Sequence, residues 1–315
     1  MHGIKKRLHR MEKIVLNNNR AKGMTLAVLT AVMWGIMGLF VRGLTAQGFS
    51  SMEISFFRCF IAGAAYFLYQ AVRNPGMLKI DLKGLLICLL YGAAAYSVSF
   101  VSYTVAVSRI PVGVATVLMF MSPIWVAILG QLLFKEKLDK ITGITILLCL
   151  AGAVMVSDVL QGSFDLDGIG ILAGIINGMG VALQVTLPKF FARDYERDTI
   201  LVYGFLGAAL VLSFGVDFPH LISVITDAPV ADTICNLFGI GILCTMVANV
   251  SCVKATQYIT VTTTSILSAL EVVVGTAVGF LVFHESLTAV QIIGAVIIVA
   301  GSVGSEVLKA NLQKG

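Results

Sequence analysis

The chain has 315 residues, of which 58% are hydrophobic and only 12% are charged, and its formal net charge is +5. A soluble domain carries about 25% charged residues, so the composition excludes an ordinary soluble globular protein and favours one embedded in a membrane. All six cysteines fall in apolar stretches, which indicates small packing residues rather than a disulfide framework or a metal site.

Ten apolar segments are each long enough to cross a bilayer, because spanning ~30 Å of hydrocarbon takes roughly 20 residues. They lie at about 23–43, 53–72, 84–107, 112–134, 140–158, 168–188, 198–216, 233–254, 261–283 and 286–307. The second is the weakest, since Glu53 and Arg58 interrupt it. The connecting loops are short. The sequence therefore predicts an all-α polytopic membrane protein with ten transmembrane helices.

The basic residues predict how these segments are oriented. Residues 1–22 are basic and polar, and they lack the apolar core of a signal peptide, which indicates a cytoplasmic tail. With ten segments starting inside, all but three of the 22 Lys and Arg residues fall on the inner side; Arg42 and Arg109 lie outside and Arg58 lies within the membrane. Both termini, including a short tail at 309–315, are therefore expected in the cytoplasm of a cell whose plasma or inner membrane holds the chain.

The second half of the chain repeats the first. Residues 102–138 align without a gap on residues 251–287, and the identical pairs include the glycine, phenylalanine and glutamate of two related motifs. Each copy, predicted at 23–158 and 159–308, holds five segments, so two tandem copies must lie in opposite orientations. Inverted repeats are typical of secondary transporters, whose substrate site lies near the midplane where the repeats meet.

The most specific parts of the repeat are SPIWVAILGQLLFKEKL (122–138) and LEVVVGTAVGFLVFHESL (270–287). Two further motifs precede them in the chain: Trp34-Gly35 in segment one and the arginine of FFRCFIAG (56–63) in segment two. In this order the motifs resemble those of the EamA-type drug/metabolite transporters over nearly the whole chain past residue 22. The resemblance implies a secondary transporter with ten helices. The family often has Glu-Pro where this chain has Glu271-Val272, which leaves open whether segment nine is kinked.

Two charged residues lie at membrane depth, where each costs ~3 kcal/mol or more and requires a partner or a cavity. Glu271 is ten residues into segment nine, or ~15 Å at 1.5 Å per residue, and so near the midplane. It is either a structural residue bonded to a neighbouring helix or a cavity residue that binds substrate and exchanges a proton. Arg58 lies nearer the outer end of its segment and is either an anchor or a cavity group.

Other candidates for the substrate site are uncharged. In segment three, Tyr96 and Tyr103 lie on one helical face, and Asn249 of segment eight belongs to the face that corresponds to it in the second repeat. We expect an aromatic wall from one repeat to meet a polar wall from the other. Asn177 and Gln184 share a face of segment six, and Trp34 lies in the middle of segment one. Ordinary helix packing is the alternative for each of these residues.

Glu136 and Glu285 end segments four and nine, at equivalent positions of the two repeats. A carboxylate at a helix end serves as a cap or a gate contact more readily than as part of a central site. We therefore expect these two glutamates to act at the ends of the transport path.

These features favour a secondary transporter that exports a metabolite or drug-like solute by alternating access, with proton coupling through Glu271. An uncoupled facilitator and an uptake carrier for amino acids or similar metabolites stay open. An integral-membrane enzyme is disfavoured, because the four histidines are dispersed and no metal set or acid cluster occurs. With Arg58 as the only deep cation, the expected solute is neutral, zwitterionic or cationic. The sequence indicates no nucleotide-binding loop, no cofactor and no nucleic-acid partner.

Overall fold

The computed structural model describes residues 2–157, 159 and 167–312, with side chains from residue 19 to residue 308 within these ranges. This part of the chain folds almost entirely into helices and contains no β-strand, which confirms the predicted all-α membrane class. The predicted junction between the repeats at 158–166 lies almost wholly outside the described residues, and the side chains of the tail at 309–315 lie outside them too.

The first repeat is built from eight helices, because short breaks divide three of its predicted segments. They are α1 (His2–Gly35), α2 (Met37–Ala46), α3 (Ser51–Arg73), α4 (Leu82–Gly92), α5 (Val98–Arg109), α6 (Val112–Met119), α7 (Ser122–Phe134) and α8 (Lys140–Val156). A π-helical turn at Ala93–Ser97 joins α4 to α5, so these two form one long span.

The second repeat also contains eight helices. They are α9 (Gly168–Phe191), α10 (Arg197–Ser213), α11 (Phe218–Asp227), α12 (Val230–Phe238), α13 (Ala248–Ala255), α14 (Val261–Ser268), α15 (Glu271–Phe283) and α16 (Ala289–Leu312). A π-helical stretch at Gly239–Val247 joins α12 to α13. It occupies the position that Ala93–Ser97 occupies in the first repeat.

In the described residues, eight helical stretches are long and apolar enough to cross a membrane, or nine if the bent pair α10 and α11 forms one span. The eight coincide with predicted segments one to four, six and eight to ten. The shorter apolar helix α8 and the helix α10 occupy the positions of segments five and seven. The protein is therefore an integral membrane protein, while the count of ten spans and the cytoplasmic termini stay predictions.

Helix α11 turns 104° away from α10 and is held against the start of α3. Nδ1 of His220 lies 2.9 Å from Oε1 of Glu53, whose other oxygen accepts a hydrogen bond from the N–H of Ser50. The hydrogen bond to Glu53 raises the pKa of His220 above its usual value. This pair and the capping box formed by Ser50 and Glu53 fix the N-terminus of α3, which is the helix that carries Arg58.

Segments four and nine are both broken at the same place in their repeats. Helix α6 ends at Met119 and α7 begins at Ser122, while α14 ends at Ser268 and α15 begins at Glu271. The sequence left the second break open because Val272 replaces a proline. Helix α1 packs closely against the start of α15, since a Cβ atom at Gly35 would lie 2.5 Å from Cβ of Val274 and 2.9 Å from the Glu271 carbonyl oxygen.

A glycine lets α8 pack closely against α16. A Cβ atom on Gly152 of α8 would lie 2.6 Å from Cγ1 of Ile298 and 2.7 Å from the carbonyl oxygen of Gly294. Gly143 of the same helix has no such neighbour within 4 Å. Small residues of this kind let membrane helices approach closely.

We expect Gly152→Ala to lower the stability of the protein, because the added methyl group meets backbone that cannot move aside. Overpacking of this kind costs about 1–3 kcal/mol. The matched control is Gly143→Ala, which adds the same methyl group to the same helix in open space and should be neutral or slightly stabilising. Thermal unfolding of the purified protein in detergent measures both. Equal melting temperatures for the two variants would show that the α8–α16 contact is not tight.

Candidate functional site

A cavity of about 290 Å³ lies between the two repeats. Its walls come from the junction of α1 and α2, from α6 and the break that follows it, from the end of α8 and from the start of α15. The lining residues are Trp34, Gly35, Met37, Thr116, Met119, Phe120, Ala153, Val156, Ser157, Glu271, Val272, Gly275 and Thr276. Two of the predicted site residues, Trp34 and Glu271, are therefore brought together in one cavity.

Glu271 is the first residue of α15, directly after the break in segment nine. The N-terminus of a helix carries a partial positive charge, which favours a carboxylate there. Among the described residues the Glu271 side chain forms no hydrogen bond and no ion pair. Its carboxylate thus lies in the cavity, supported by a helix end and open to a ligand.

Arg58 is held at the interface between the repeats rather than in the cavity lining. Its Nε donates a hydrogen bond of 3.2 Å to Oγ1 of Thr245, and its guanidinium lies 4.3 Å from the centre of the Phe100 ring. Thr245 belongs to the π-helical stretch and donates in turn to the carbonyl oxygen of Ile240. Arg58 and Glu271 are close enough to interact electrostatically, yet they form no direct ion pair.

The predicted meeting of an aromatic and a polar wall is present, but as a closed contact. The hydroxyl of Tyr96 donates to Oδ1 of Asn249 at 2.9 Å, and Nδ2 of Asn249 donates to the carbonyl oxygen of Thr245 at 2.8 Å. Tyr96 is 0% exposed and Asn249 is 3% exposed. The structure places both in the packed interface between the repeats and not in the cavity of Glu271.

The remaining polar candidates connect α9 to segment three. Nε2 of Gln184 donates at 2.9 Å to the carbonyl oxygen of Ala95, inside the π-helical turn. Oδ1 of Asn177 accepts at 2.8 Å from Ser99, while its Nδ2 is buried without a partner among the described residues. Tyr103 packs half-buried beside these helices. The structure does not bring these three residues to the cavity.

Sequence reasoning missed part of the cavity lining, notably Thr116, Phe120 and Thr276. Both threonine hydroxyls donate to the carbonyl oxygen four residues earlier, as is usual for threonine in a helix. Nothing in their spacing separated them from other helical threonines. Phe120 lies in the cavity because it belongs to the break between α6 and α7, and only the position of that break could have indicated it.

The two ends of the bundle differ in how the repeats meet. We call the end with Lys137, Lys189 and Arg197 the basic end, and the end with Arg42 and Arg109 the opposite end. At the basic end, α7 packs against α14. The equivalent pair at the opposite end, α6 and α15, has no comparable contact, and the cavity occupies the space between them. The repeats are therefore in contact on the side of the cavity that faces the basic end.

Two repeated sets of helices, each with a broken span, surround a carboxylate at a half-helix N-terminus, and this arrangement is typical of membrane transporters. The sequence model of the EamA-like transporter family matches residues 21–158 and 168–305. The chain belongs to this family. Its two matches correspond to the two repeats.

Similar proteins agree with this class. An uncharacterised transporter of Archaeoglobus fulgidus is 27% identical over 276 residues, which cover 87% of this chain and 92% of the relative. The pseudopaline exporter CntI of Pseudomonas aeruginosa is 24% identical over 285 residues, which cover 89% of this chain and 94% of the exporter. A crystal structure of another protein, 17% identical, matches the fold with a TM-score of 0.77 over 93% of this chain and 99% of that one. The names of the first two proteins point to transporters rather than enzymes.

We expect Tyr96→Phe to destabilise the interface between the repeats, because it leaves the buried Oδ1 of Asn249 without its donor. An unsatisfied buried polar atom costs about 1–3 kcal/mol. The matched control is Tyr103→Phe, which removes a hydroxyl that has no hydrogen bond among the described residues. Thermal unfolding in detergent compares the two. A melting temperature unchanged by Tyr96→Phe would mean that this hydrogen bond does not hold the repeats together.

Proposed function

We propose that this protein exports a small organic solute by alternating access, with Glu271 as the residue that binds the solute and exchanges a proton. The observation that carries the proposal is the carboxylate of Glu271, which lies unpartnered at a half-helix N-terminus in a cavity between inverted repeats. A charged group at membrane depth is costly, and this one is not used to hold the helices together.

The cavity lining supports a solute with an amine and an apolar body. Trp34, Phe120, Met37 and Met119 offer aromatic and thioether surfaces, while Thr116 and Thr276 add hydroxyl groups at its edge. The one charge in the lining is the carboxylate of Glu271. An ammonium group would pair with it, whereas a phosphate or an isolated carboxylate would be repelled. Cationic and zwitterionic solutes are therefore favoured over anionic ones.

Competition for one carboxylate would couple the solute to protons. A protonated Glu271 cannot pair with an ammonium group, so a proton and a solute would occupy the site in alternation, and each would leave on the side where the other binds. Export as the direction draws support from the similarity to the pseudopaline exporter.

The first test compares the small molecules released by cells that express the wild type, Glu271→Gln or Glu196→Gln. Glu196 is an exposed carboxylate at the basic end and serves as the matched control. We expect at least one amine-bearing metabolite to accumulate in the medium with the wild type and the control. Glu271→Gln should lower its release about tenfold or more, since it removes a charge-assisted contact. Identical release from all three strains would overturn the proposal.

The second test uses the metabolite found in this way and the purified protein in liposomes. We expect an imposed pH gradient to drive its flux through the wild type but not through Glu271→Gln. Flux through the wild type that does not respond to the gradient would indicate an uncoupled facilitator. Equal responses in both proteins would exclude Glu271 as the proton carrier.

A further inference from the structure

The turn Phe134–Glu136 and its copy Phe283–Glu285 have the same backbone geometry in both repeats. The central residues, Lys135 and His284, each have φ of 55°, in the left-handed region that is uncommon for residues other than glycine. In each turn the glutamate N–H donates to the carbonyl oxygen of a glycine six residues earlier, at 3.2 and 3.1 Å. The two glutamates thus begin from matching positions at opposite ends of the bundle.

Each glutamate also holds a cation supplied by the first span of the other repeat. Nζ of Lys189 lies 3.2 Å from Oε1 of Glu136 and 4.8 Å from the ring of the phenylalanine in the same turn. A guanidinium nitrogen of Arg42 lies 2.7 Å from Oε1 of Glu285, and the group lies 4.2 Å from the ring of that turn's phenylalanine. In both turns, therefore, a phenylalanine ring and a carboxylate together hold one cation.

The turns differ in their contact with the broken helix of the other repeat. Glu136 accepts hydrogen bonds from the N–H groups of Val261 and Thr262, at 3.0 and 3.3 Å, and from the Thr262 hydroxyl at 2.9 Å. It therefore caps the N-terminus of α14. In the described residues Glu285 makes no such bond to α6, whose first residue, Val112, follows an N-cap position without a side-chain cap.

The two turns also differ in how deeply their glutamates are buried. The side chain of Glu136 is 8% exposed and that of Glu285 is 47% exposed. Val261, at the capped helix, is 0% exposed, whereas its counterpart Val112 is 60% exposed. The glutamate at the basic end is therefore buried and bonded to the helix of the other repeat, whereas its copy at the opposite end is exposed and makes no such bond.

We propose that Glu136 and Glu285 are alternating latches between the repeats, each capping the broken helix of the other repeat when its own end of the transport path is closed. In the state seen here the Glu136 latch is engaged. When the opposite end closes, Glu285 caps α6 at the N–H groups of Val112 and Gly113, and Glu136 leaves α14. This inference rests on the alternating access of the proposed function.

Such an exchange keeps the two states close in free energy. Each change of state loses one charge-assisted cap and forms a similar one at the other end. The cap on α6 has one hydrogen bond fewer, because Gly113 stands where α14 has the hydroxyl of Thr262, so the two latches offset most of each other's contribution. A site that must be reached from both sides needs states whose populations a bound solute can shift. Removing one latch should therefore lower the population of the state in which its own end is closed and raise the population of the state in which the other end is closed.

Hydrogen exchange of the full-length protein in lipid nanodiscs, read by mass spectrometry, tests this reciprocity. The peptides of interest cover residues 258–264, at the start of α14, and residues 110–116, at the start of α6. For Glu136→Gln we expect exchange about tenfold faster at 258–264 and slower at 110–116, since a charge-assisted bond is lost at one end only. Glu285→Gln should change both peptides with the reverse sign.

Two further variants complete the comparison. Thr262→Val keeps the shape of the side chain but removes one donor to Glu136, so it should produce a smaller change in the same direction as Glu136→Gln and serves if that variant fails to fold. Glu196→Gln makes the same chemical change at an exposed site of the basic end and should leave both peptides as in the wild type.

The latch proposal is overturned if each substitution alters only the peptide that its own glutamate contacts, or alters both peptides in the same direction. The hydrogen-exchange measurement does not require the solute to be known. Metabolite release with no reciprocity would refute the latches and leave the proposed function standing. Reciprocity without any release would refute the proposed function and leave the latches standing.

Discussion

The need to satisfy backbone N–H and C=O groups inside the bilayer is the constraint on which this structure depends. An interrupted helix exposes such groups, and hydrocarbon offers them no partner, so interruptions occur only where protein or a polar cavity covers them. The breaks in segments four and nine both lie between the repeats. One break is covered by α1, which approaches at Gly35, and it places Glu271 at a helix N-terminus. The break, the cavity and the charge are thus one arrangement.

Much of this arrangement could be predicted from the sequence, because hydropathy and duplication are one-dimensional signals. The length of the apolar stretches indicates spans, and the spacing of the two copies relates Tyr96 to the segment that carries Asn249. The deep charge of Glu271 stands out in a neutral run. Each of these features can be identified from the sequence without knowledge of any contact between helices.

Other features could not be predicted, because they depend on distances between helices. Helical periodicity places Tyr96 and Asn249 on inward faces, but it does not say whether two faces touch or enclose space. Here they touch, and the cavity lies elsewhere. The break before Glu271 lacked its proline signal and is associated with packing against Gly35. The lining residues Thr116 and Phe120 follow from that geometry and have no signature of their own.

The difference between Glu271 and its counterpart Ser122 has a consequence for recognition. A site built on the axis of two identical inverted halves would present the same surface to either end of a solute, which could then bind in two reversed orientations. One carboxylate on one side removes this degeneracy. If Glu271 binds the solute as proposed, each solute molecule would have a single preferred direction in the cavity, with its polar group toward α15. The uncharged wall of the cavity, opposite α15, would then discriminate between molecules that differ only at the end away from Glu271.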